Sequence, residues 1–568
     1  MPAFYSKLKQ GFHNLTKDPA VFVSVIIIWI FLIIFILFPL AKIFVLTFEK
    51  SGHFTFSNIV EILSKRNHLK AFWNSLLLAT LVGISGTTLG FFFAFTSVRA
   101  NLSRGWSKFL DAAIILPLIS PPFTTAIAII FSFGRRGIIT YNLLGFTRVN
   151  VYGMHSVLFA ETITFFPIAY LTLKAILAGI DPTVEDMAFS LGSSRRRVFG
   201  TVTLPLTVPG LANSFLLLFA ASLADFATPL ILAGNKFPVL PTEAFLQITG
   251  LFDFRGGAVL SFILLVPAFT VFVLQRYWVA QKYYVTITGK SGAQTEIKSV
   301  APWARKIFLG ICLSICLLIL YLYLLLFYAS IVKAFGANYE LTLKHYIVVF
   351  TEGLKAIKDT LIIALTGMFF GGFYGVIIGY LISKKDFISR SFMEMVSLLN
   401  YSLPGTIVGI AYLLAFNNPP IAITGTALVI IACYVFRYGA TSIRTTIAIL
   451  QQIDPSIEEA SASLGAESII TFRRITIPLV LPALFNGLGV VFIRSMTAIS
   501  ATIFLISINW TLITVRILEK ITELELGVAA AFSVLVVVIV FIVIMFINLF
   551  LRIFRQEGAT DLSSMLGG

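Results

Sequence analysis

The chain contains a polar stretch between two strongly apolar segments, and this stretch reads Ile180-Asp181-Pro182-Thr183-Val184-Glu185-Asp186-Met187-Ala188-Phe189-Ser190-Leu191-Gly192. A second copy lies 273 residues later and reads Ile453-Asp454-Pro455-Ser456-Ile457-Glu458-Glu459-Ala460-Ser461-Ala462-Ser463-Leu464-Gly465. Both copies continue without a gap to a Leu-Pro-Leu or Ile-Pro-Leu motif and then to Pro209 or Pro482, and eleven aligned positions are identical. This agreement indicates an internal repeat.

The same local structure is predicted for both copies. Asp181 can accept hydrogen bonds from the free N–H groups of a helix start, and Pro182 suits the first helical position. Glu185 lies in the first turn, where the helix dipole favours an anion, and Gly192 can adopt the left-handed conformation that ends a helix. We expect a short amphipathic helix, a glycine bend and a second helix that ends near Pro205. The equivalent residues of the second copy are Asp454, Pro455, Glu458, Gly465 and Pro478.

The composition is that of a polytopic membrane protein. Of 568 residues, 58% are hydrophobic and only 12% are charged, and the mean hydropathy is +0.95. This balance excludes an ordinary soluble enzyme. The net charge of +16 is attributed to lysine and arginine that flank membrane spans, not to nucleic-acid binding. Three cysteines and five histidines are scattered without ligand spacing, so the sequence identifies no metal ligands.

Twelve apolar runs are long enough to cross a bilayer of about 30 Å. Six precede a polar, basic segment, and they lie near 21–47, 75–98, 109–133, 154–178, 208–234 and 256–279. Six follow it, and they lie near 306–333, 358–383, 391–416, 420–446, 480–507 and 526–553. The sequence therefore predicts an all-α polytopic protein of about twelve transmembrane helices.

The twelve runs form two halves of the same design. Residues 1–280 are predicted as the first half, 281–305 as a cytosolic linker and 306–568 as the second half. The repeated loops span 181–205 and 454–478. Because each half contains an even number of spans, the halves are parallel repeats about an axis along the membrane normal. Lysine and arginine in the short loops place both termini, the linker and both repeated loops in the cytosol.

The repeated loop resembles the signature of permease subunits of binding-protein-dependent ABC importers, which follows the pattern Glu-Ala-Ala-x3-Gly-x9-Ile-x-Leu-Pro. The first copy departs from this pattern at Asp186-Met187-Ala188, and the second is closer with Glu459-Ala460-Ser461, Gly465 and Ile477-Pro478. Two copies in one chain resemble the fused permeases of iron(III)-type importers. Stretches such as Phe133-Gly134-Arg135-Arg136-Gly137 are similar to the same branch.

The resemblance implies the MetI-like ABC permease fold and a specific set of partners. In that family the cytosolic helix of each loop docks into an ATP-binding subunit, so two copies of this subunit, an extracytoplasmic substrate-binding protein and membrane lipid are expected. The residues assigned to this contact are Glu185, Asp186, Gly192, Pro205, Glu458, Glu459, Gly465 and Pro478. The alternative is a helix that rests on lipid headgroups, which should carry Lys and Arg on its polar face. Both predicted helices are instead acidic up to the glycine.

The chain carries no phosphate-binding loop of its own. No Gly-x4-Gly-Lys-Ser/Thr motif occurs, and Gly289-Lys290-Ser291 lacks the upstream glycine at the required spacing. We therefore expect a transport subunit that is not an enzyme and binds no cofactor, with ATP and Mg²⁺ used by a partner subunit.

Four ionisable residues inside predicted spans are candidates for the transport pathway. Asp225 lies in the fifth span and Arg494 in the eleventh, and Glu161 and Arg437 lie in the fourth and tenth. Because charges inside a membrane are costly, such residues are functional hypotheses by default. Asp225 and Arg494 either line the pathway between the halves or pair with each other or with another buried charge.

The sequence leads to a fused permease of an ATP-driven importer in a bacterial cytoplasmic (inner) membrane. Its cargo is expected to be ferric iron, delivered by the extracytoplasmic binding protein and moved by alternating access. The same machinery carrying thiamine, phosphonate or a sugar phosphate is the alternative within this class. Alternatives of other classes are an ion-gradient-driven secondary transporter, which needs no duplicated acidic loop, and a membrane scaffold without a pathway.

Overall fold

The computed structural model describes residues 19–279 and 302–554, apart from 452, 455 and 467. In the first half the helices are α1 (Pro19–Leu32), α2 (Phe38–Phe48), α3 (Ser57–Ser64), α4 (Arg66–Arg99), α5 (Arg104–Ile119), α6 (Phe123–Phe133), α7 (Met154–Ala178), α8 (Pro182–Ser190), α9 (Arg195–Val198), α10 (Leu204–Ala224), α11 (Ala227–Leu232), α12 (Leu240–Thr249) and α13 (Phe254–Val273). In the second half they are α14 (Pro302–Ser330), α15 (Lys344–Thr351), α16 (Leu354–Lys384), α17 (Arg390–Ser402), α18 (Gly405–Phe416), α19 (Ala427–Leu450), α20 (Ser456–Ser463), α21 (Ser468–Thr471), α22 (Ile477–Thr497), α23 (Ile513–Thr522) and α24 (Leu526–Phe554).

Short π- and 3₁₀-helical segments and two hairpins complete the described chain. The π-helical segments are Ile33–Leu37, Ile138–Leu143, Phe199–Thr203, Leu274–Val279 and Phe472–Thr476, and the 3₁₀ segments are Gly234–Lys236 and Thr502–Phe504. Antiparallel hairpins join β1 (Glu49–Lys50) to β2 (His53–Phe54) and β3 (Val332–Ala334) to β4 (Asn338–Leu341). Each hairpin follows the first long helix of its half, so the repeat includes these small elements.

Within the described residues, ten helices are long and apolar enough to cross a membrane, or up to twelve if each bent pair counts as one span. This agrees with the predicted all-α polytopic fold. The bent pairs lie in the second half: α17 and α18 meet at 106°, and the helix from Arg473 to Thr497 bends by 52° near Leu481. The predicted span 109–133 is also divided, because the chain leaves the helix at Ser120 and re-enters it after Pro122.

Two predicted spans end earlier than the apolar pattern indicated. Helix α10 ends at Ala224, so Asp225 lies at a helix end and not deep in the fifth span as predicted. Helix α22 ends at Thr497, ten residues before the predicted end of the eleventh span. Hydropathy missed both ends because the segments that follow, which include α11 and Thr502–Phe504, are equally apolar and buried.

The first long helix of each half packs against the other half. Helices α1 and α2 contact α17 and α18. The π-helical segment Ile33–Leu37, which lies between α1 and α2, contacts α19. The indole N–H of Trp29 donates to the hydroxyl of Ser389 at 2.9 Å, and the hydroxyl of Tyr412 donates to the carbonyl of Phe35 at 2.7 Å. Reciprocally, α14 contacts α5 and α6, where the hydroxyls of Tyr323 and Ser120 form a hydrogen bond. The halves are therefore interlocked by exchanged helices.

Each half is built on three tightly packed long helices. These are α4, α7 and α10 in the first half and α16, α19 and α22 in the second. A Cβ atom added at Gly90 would lie 2.6 Å from the Cβ of Ala169, and one added at Gly375 would lie 2.3 Å from the Cβ of Ser442. Small residues allow helix backbones to approach closely in membranes, where dispersion contacts replace the hydrophobic effect. Equivalent glycines thus set the same close approach in both halves.

A hydroxyl on a long helix caps a short amphipathic helix in each half. The backbone N–H of Leu240 at the start of α12 donates to the hydroxyl of Ser75 at 2.8 Å. The N–H of Ile513 at the start of α23 donates to the hydroxyl of Thr360 at 2.9 Å. These bonds satisfy N–H groups that a helix start leaves without an intrahelical partner.

The predicted linker 281–305 is too long at its carboxyl end, because α14 already begins at Pro302. A proline suits the first helical turn, where its missing N–H costs no hydrogen bond. The remaining linker residues 281–301, the basic N-terminal residues and the segment after Phe554 lie outside the described residues. The boundaries of the two halves stay predictions.

Candidate functional site

The first repeated loop forms the predicted capped helix. The Asp181 carboxylate accepts hydrogen bonds from the backbone N–H and hydroxyl of Thr183 at 2.9 and 2.8 Å. These bonds hold the pKa of the Asp181 carboxyl below its ordinary value. Helix α8 ends at Ser190, and Gly192 follows with a φ of 81°, a left-handed conformation that favours glycine. The N–H of Ser193 then donates to the carbonyl of Ala188 at 3.1 Å, closing the bend.

The second loop repeats this geometry. The Asp454 carboxylate accepts from the N–H of Ser456 at 2.9 Å, which lowers the pKa of the Asp454 carboxyl, and Gly465 has a φ of 80°. The hydroxyls of Ser461 and Thr471 are hydrogen-bonded at 2.8 Å across the bend. Pro455 and the side chain of Glu458, both assigned roles from the sequence, lie outside the described residues. Glu459 is exposed.

Glu185 is buried within the first half and does not face solvent. Only 6% of its surface is exposed, and its Oε1 lies 3.0 Å from Nη2 of the buried Arg99. The hydroxyl of Thr203 donates to the same oxygen at 2.7 Å. Glu185 therefore ties α8 to the end of α4 and to the π segment before α10. The sequence assigned it to contact with a partner; the geometry makes it a positioning residue, while Asp186 beside it is partly exposed.

Large apolar side chains project from both loops into solvent. Met187 is 58% exposed, Leu191 is 86% exposed and Leu464 is 89% exposed, and Ile457 is also exposed. These side chains lie at the bends and on the faces opposite the membrane domain. Exposed apolar side chains grouped in this way mark a surface for contact with another protein or with a membrane. We call the residues Met187 and Leu191, with Ile457 and Leu464, the loop surface.

The second helix of each loop does not end at the proline as predicted. The helix from Arg195 to Ala224 is continuous, and its π-helical turn Phe199–Thr203 stands immediately before Leu204 and Pro205. In the second copy, Phe472–Thr476 stands in the same way before Ile477 and Pro478. The wider turn accommodates a proline that offers no N–H and whose ring crowds the preceding turn. Pro205 and Pro478 are exposed on helices that lead directly into the membrane.

The two carboxylates proposed for the pathway lie together in the first half. Glu161 on α7 is fully buried, and its Oε2 accepts a hydrogen bond from the hydroxyl of Ser222. Asp225 is 8% exposed at the end of α10, where its Oδ1 accepts from the N–H groups of Ala227 and Thr228 at 3.0 and 3.3 Å. Asp225 thus caps α11, a role that the sequence did not reveal.

The two arginines proposed for the pathway lie in the second half. Arg437 on α19 is buried, and its Nη1 donates a hydrogen bond to the carbonyl of Asn400 at 2.9 Å. The guanidinium of Arg437 also lies 5.8 Å from the ring centre of Tyr438. Arg494 lies half-buried in the last turn of α22. Among the ion pairs of the described residues none joins Asp225 to Arg494, so that alternative is not formed in this conformation.

The halves meet through apolar side chains close to Asp225. Phe226 and Phe245 of the first half lie with ring centres 5.2 Å apart, and Phe245 lies 5.9 Å from Phe504 of the second half. Met496 and Phe492 are fully buried in a cluster that also contains Phe226. The two halves are therefore in direct apolar contact beside Asp225. Over the described residues, no group of three or more His, Cys, Asp or Glu side chains is arranged to hold a metal ion.

Arg99, Ser75 and Thr360 are structural residues that the sequence did not assign. The local sequence gives no sign of the contact between Arg99 and Glu185, because the two residues lie far apart along the chain. The contact between Glu185 and Thr203 is hidden in the same way. Asn74-Ser75 and Asp359-Thr360 stand at equivalent positions near the start of an apolar span in each half. Equivalent polar residues at the start of two apolar spans were the signal that could have identified the caps.

Comparison with known proteins places both halves in one family. Residues 86–283 and 371–556 each match the model of the binding-protein-dependent transport system inner membrane component. The chain is 33% identical over 548 residues to the ferric transport system permease protein FbpB of Actinobacillus pleuropneumoniae, covering 94% of this chain and 78% of that protein. It is 34% identical over 511 residues to the putative ferric transport system permease protein FbpB 1 of Haemophilus influenzae, covering 88% of this chain and 79% of that protein.

A shorter relative matches part of the chain. The molybdenum transport system permease protein ModB of Escherichia coli is 33% identical over 164 residues, which is 28% of this chain and 70% of that protein. The two matched family domains correspond to the two halves of the chain, and each half contains long apolar helices and one exposed repeated loop. The chain is a multi-pass inner membrane protein and belongs to the family of inner membrane components, or permeases, of binding-protein-dependent ABC transport systems.

Proposed function

We propose that this chain is the fused permease of an ATP-driven importer of ferric iron. The observation that carries the proposal is the duplicated loop surface, which exposes Leu191 and Leu464 at the ends of two capped helices. In each copy a glycine bend follows, and the next helix runs into a membrane span. The cargo is inferred from the two relatives named as ferric transport permeases, which the chain matches over most of its length.

Two copies of an ATP-binding subunit would cover the two loop surfaces, one on each half. Glu459 is exposed and Asp186 is partly exposed, and Met187 and Leu191 supply an apolar anchor. Gly192 and Gly465 set the bend that presents these residues. Pro205 and Pro478 lie at the beginning of the helices that would carry the movement into the membrane. ATP and Mg²⁺ are bound by the partner, and this chain binds no cofactor.

The orientation follows from these contacts. Both repeated loops, both termini and the linker would lie in the cytosol, and the hairpins β1–β2 and β3–β4 would lie on the opposite side. A substrate-binding protein would deliver the cargo there. The closed apolar contact between Phe226, Phe245 and Phe504 would open as the two halves rock about their interface. The buried charges Asp225, Glu161, Arg437 and Arg494 are proposed as polar groups along the route that then opens.

Reconstitution tests this function. The chain, its ATP-binding subunit and its binding protein are placed in liposomes, and uptake of iron from the ferric-loaded binding protein is measured with ATP inside or outside the vesicles. Molybdate, thiamine and a sugar phosphate are offered in parallel, each with its own binding protein. We expect uptake of ferric iron that requires both partners and ATP on the loop side. Uptake by the chain alone, driven by an ion gradient, would contradict the proposal.

A further inference from the structure

Two buried carboxylates in the first half lack a cationic partner. Glu161 and Asp225 are joined through Ser222, whose hydroxyl donates to Glu161 and whose carbonyl accepts from the N–H of Asp225 at 3.1 Å. No lysine, arginine or histidine of the described chain forms an ion pair with either carboxylate.

Each member of this pair presents an oxygen that has no hydrogen-bond partner. Oε1 of Glu161 is buried without a partner among the described residues, and Oδ2 of Asp225 and the hydroxyl of Thr228 approach each other without forming a hydrogen bond of good geometry there. Thr228 is fully buried and its side chain lies beside the Asp225 carboxyl. Two like charges placed together away from water are strongly unfavourable, so the pair must hold a proton or a cation. The free oxygens and the hydroxyl are the ligand types that hard cations prefer.

The second half has no equivalent of this cluster. The 273-residue offset places Tyr434 opposite Glu161, Ala498 opposite Asp225 and Ala501 opposite Thr228. The Tyr434 hydroxyl is already hydrogen-bonded to Thr502 at 2.7 Å. A bound cation would therefore occupy one site in the chain and not two.

The cluster lies next to the surface where the halves meet. Phe226 and Ala227, which follow Asp225 directly, belong to the apolar cluster that includes Ile493 and Met496 of the second half. Asp225 itself lies where α10 breaks, so a movement of the short helix α11 would change its exposure. Irregular backbone at membrane depth is tolerated where it is buried in protein or lines a cavity.

We propose that Glu161, Asp225 and Thr228 form a single transient binding site for an oxygen-preferring metal cation on its route between the halves. The inference rests on the proposed function, since the cation is the cargo, ferric iron in that account. In the empty conformation Glu161, the more deeply buried of the two carboxyl groups, holds a proton. When the cation binds, its bonds to the carboxylate oxygens replace the O–H bond, and the proton is released to solvent.

Infrared difference spectroscopy of the unmodified transport complex tests the site without a mutation. Terbium(III), a trivalent oxygen-preferring ion, and ferric citrate are added separately to the detergent-solubilised complex. We expect loss of a protonated-carboxyl band and release of one proton per chain. A band that persists at saturating terbium and iron would overturn the proposal. The band should be absent from the start in Glu161→Gln, and should remain in the control Asp111→Asn, whose carboxylate is paired with Lys174 at 2.6 Å.

Uptake by variant complexes tests the role in transport. Glu161→Gln and Asp225→Asn keep the side-chain shape, and each should lower ferric uptake about tenfold or more while ATP hydrolysis continues. The double variant should be no worse than either single one, because both changes disable one site. Uptake within twofold of the unmodified complex would overturn the proposal. If the unmodified complex moves no ferric iron but terbium still removes the band, the ferric cargo fails and the cation site stands.

Discussion

The buried pair Arg99–Glu185 offers a direct test of how the repeated loop is held on the membrane domain. Both side chains are almost completely buried, with a 3.0 Å contact between Nη2 and Oε1. The substitution Arg99→Met keeps the apolar stem and leaves a buried carboxylate supported only by the Thr203 hydroxyl. Removing one partner of a buried ion pair costs about 3–5 kcal/mol. We therefore expect a loss of that size in the free energy of unfolding.

A double substitution separates stability from coupling. Replacing both residues, as in Arg99→Met with Glu185→Met, removes the uncompensated charge, and apolar replacement of a buried pair is often neutral or stabilising. The double variant should therefore recover most of the stability lost by Arg99→Met. It should still uncouple ATP hydrolysis from transport, because α8 is no longer anchored to α4 and to the turn before α10.

The assay combines reversible denaturation in mixed detergent with ATP hydrolysis and uptake by the reconstituted complex. The matched control is Lys50→Met, which removes an exposed pair with Glu61 at 3.0 Å and should change stability by less than about 1 kcal/mol. The reasoning is refuted if Arg99→Met unfolds at the same denaturant concentration as the unmodified chain. It is also refuted if the double variant transports with an unchanged ratio of ATP hydrolysed to cargo moved.

Other features give further predictions. Gly192→Ala and Gly465→Ala each place a side chain at a φ near +80°, which should cost about 1–2 kcal/mol of local stability. The two substitutions should lower the rate of uptake to different extents, because only the first bend is followed by three arginines. Equal losses of uptake would contradict this. Leu464→Glu should abolish co-purification of the ATP-binding subunit without lowering the chain's own stability, since the side chain is solvent-exposed. Gly375→Leu should reduce the folded yield, measured by size-exclusion chromatography, because even a Cβ lies 2.3 Å from a neighbour. The control Gly310→Ala should not, because nothing lies within 4 Å of a Cβ added at this exposed glycine and its φ is not positive. At pH values above about 4, the ordinary pKa of an aspartate carboxyl, the ionised Asp181 cap stabilises α8, and this stabilisation should disappear as the pH falls through the lowered pKa of Asp181. Hydrogen exchange of the α8 amides measures this pH dependence, and Asp181→Asn should remove it.

The sequence was sufficient for the architecture because membrane spans and helix caps are local. An apolar run of the necessary length must be helical in lipid, and Asp181 with Pro182 at one end and Gly192 at the other specify a helix through backbone chemistry alone. The repeat then required the same structure at Asp454 and Gly465. These predictions needed no knowledge of which residues meet in space.

Predictions that depended on distant contacts were less accurate. The family resemblance assigned Glu185 to contact with a partner subunit, and nothing in the local sequence indicates that a buried arginine from α4 meets it. Asp225 was placed inside a span because the residues after it are as apolar as those before it, and only its bonds to Ala227 and Thr228 reveal the break. The exchange of α1 and α14 between the halves is a tertiary feature that hydropathy does not encode.

The central claim is that an ATP-binding partner drives this permease through both repeated loops. The most direct measurement is the initial rate of iron uptake into proteoliposomes containing the unmodified complex or the double variant Leu191→Glu with Leu464→Glu, with ATP present and ion gradients collapsed by ionophores. The account predicts that the unmodified complex retains its uptake and that the double variant has neither uptake nor bound ATP-binding subunit. Uptake by the double variant at the unmodified rate, or loss of all uptake when the gradients collapse, would contradict it.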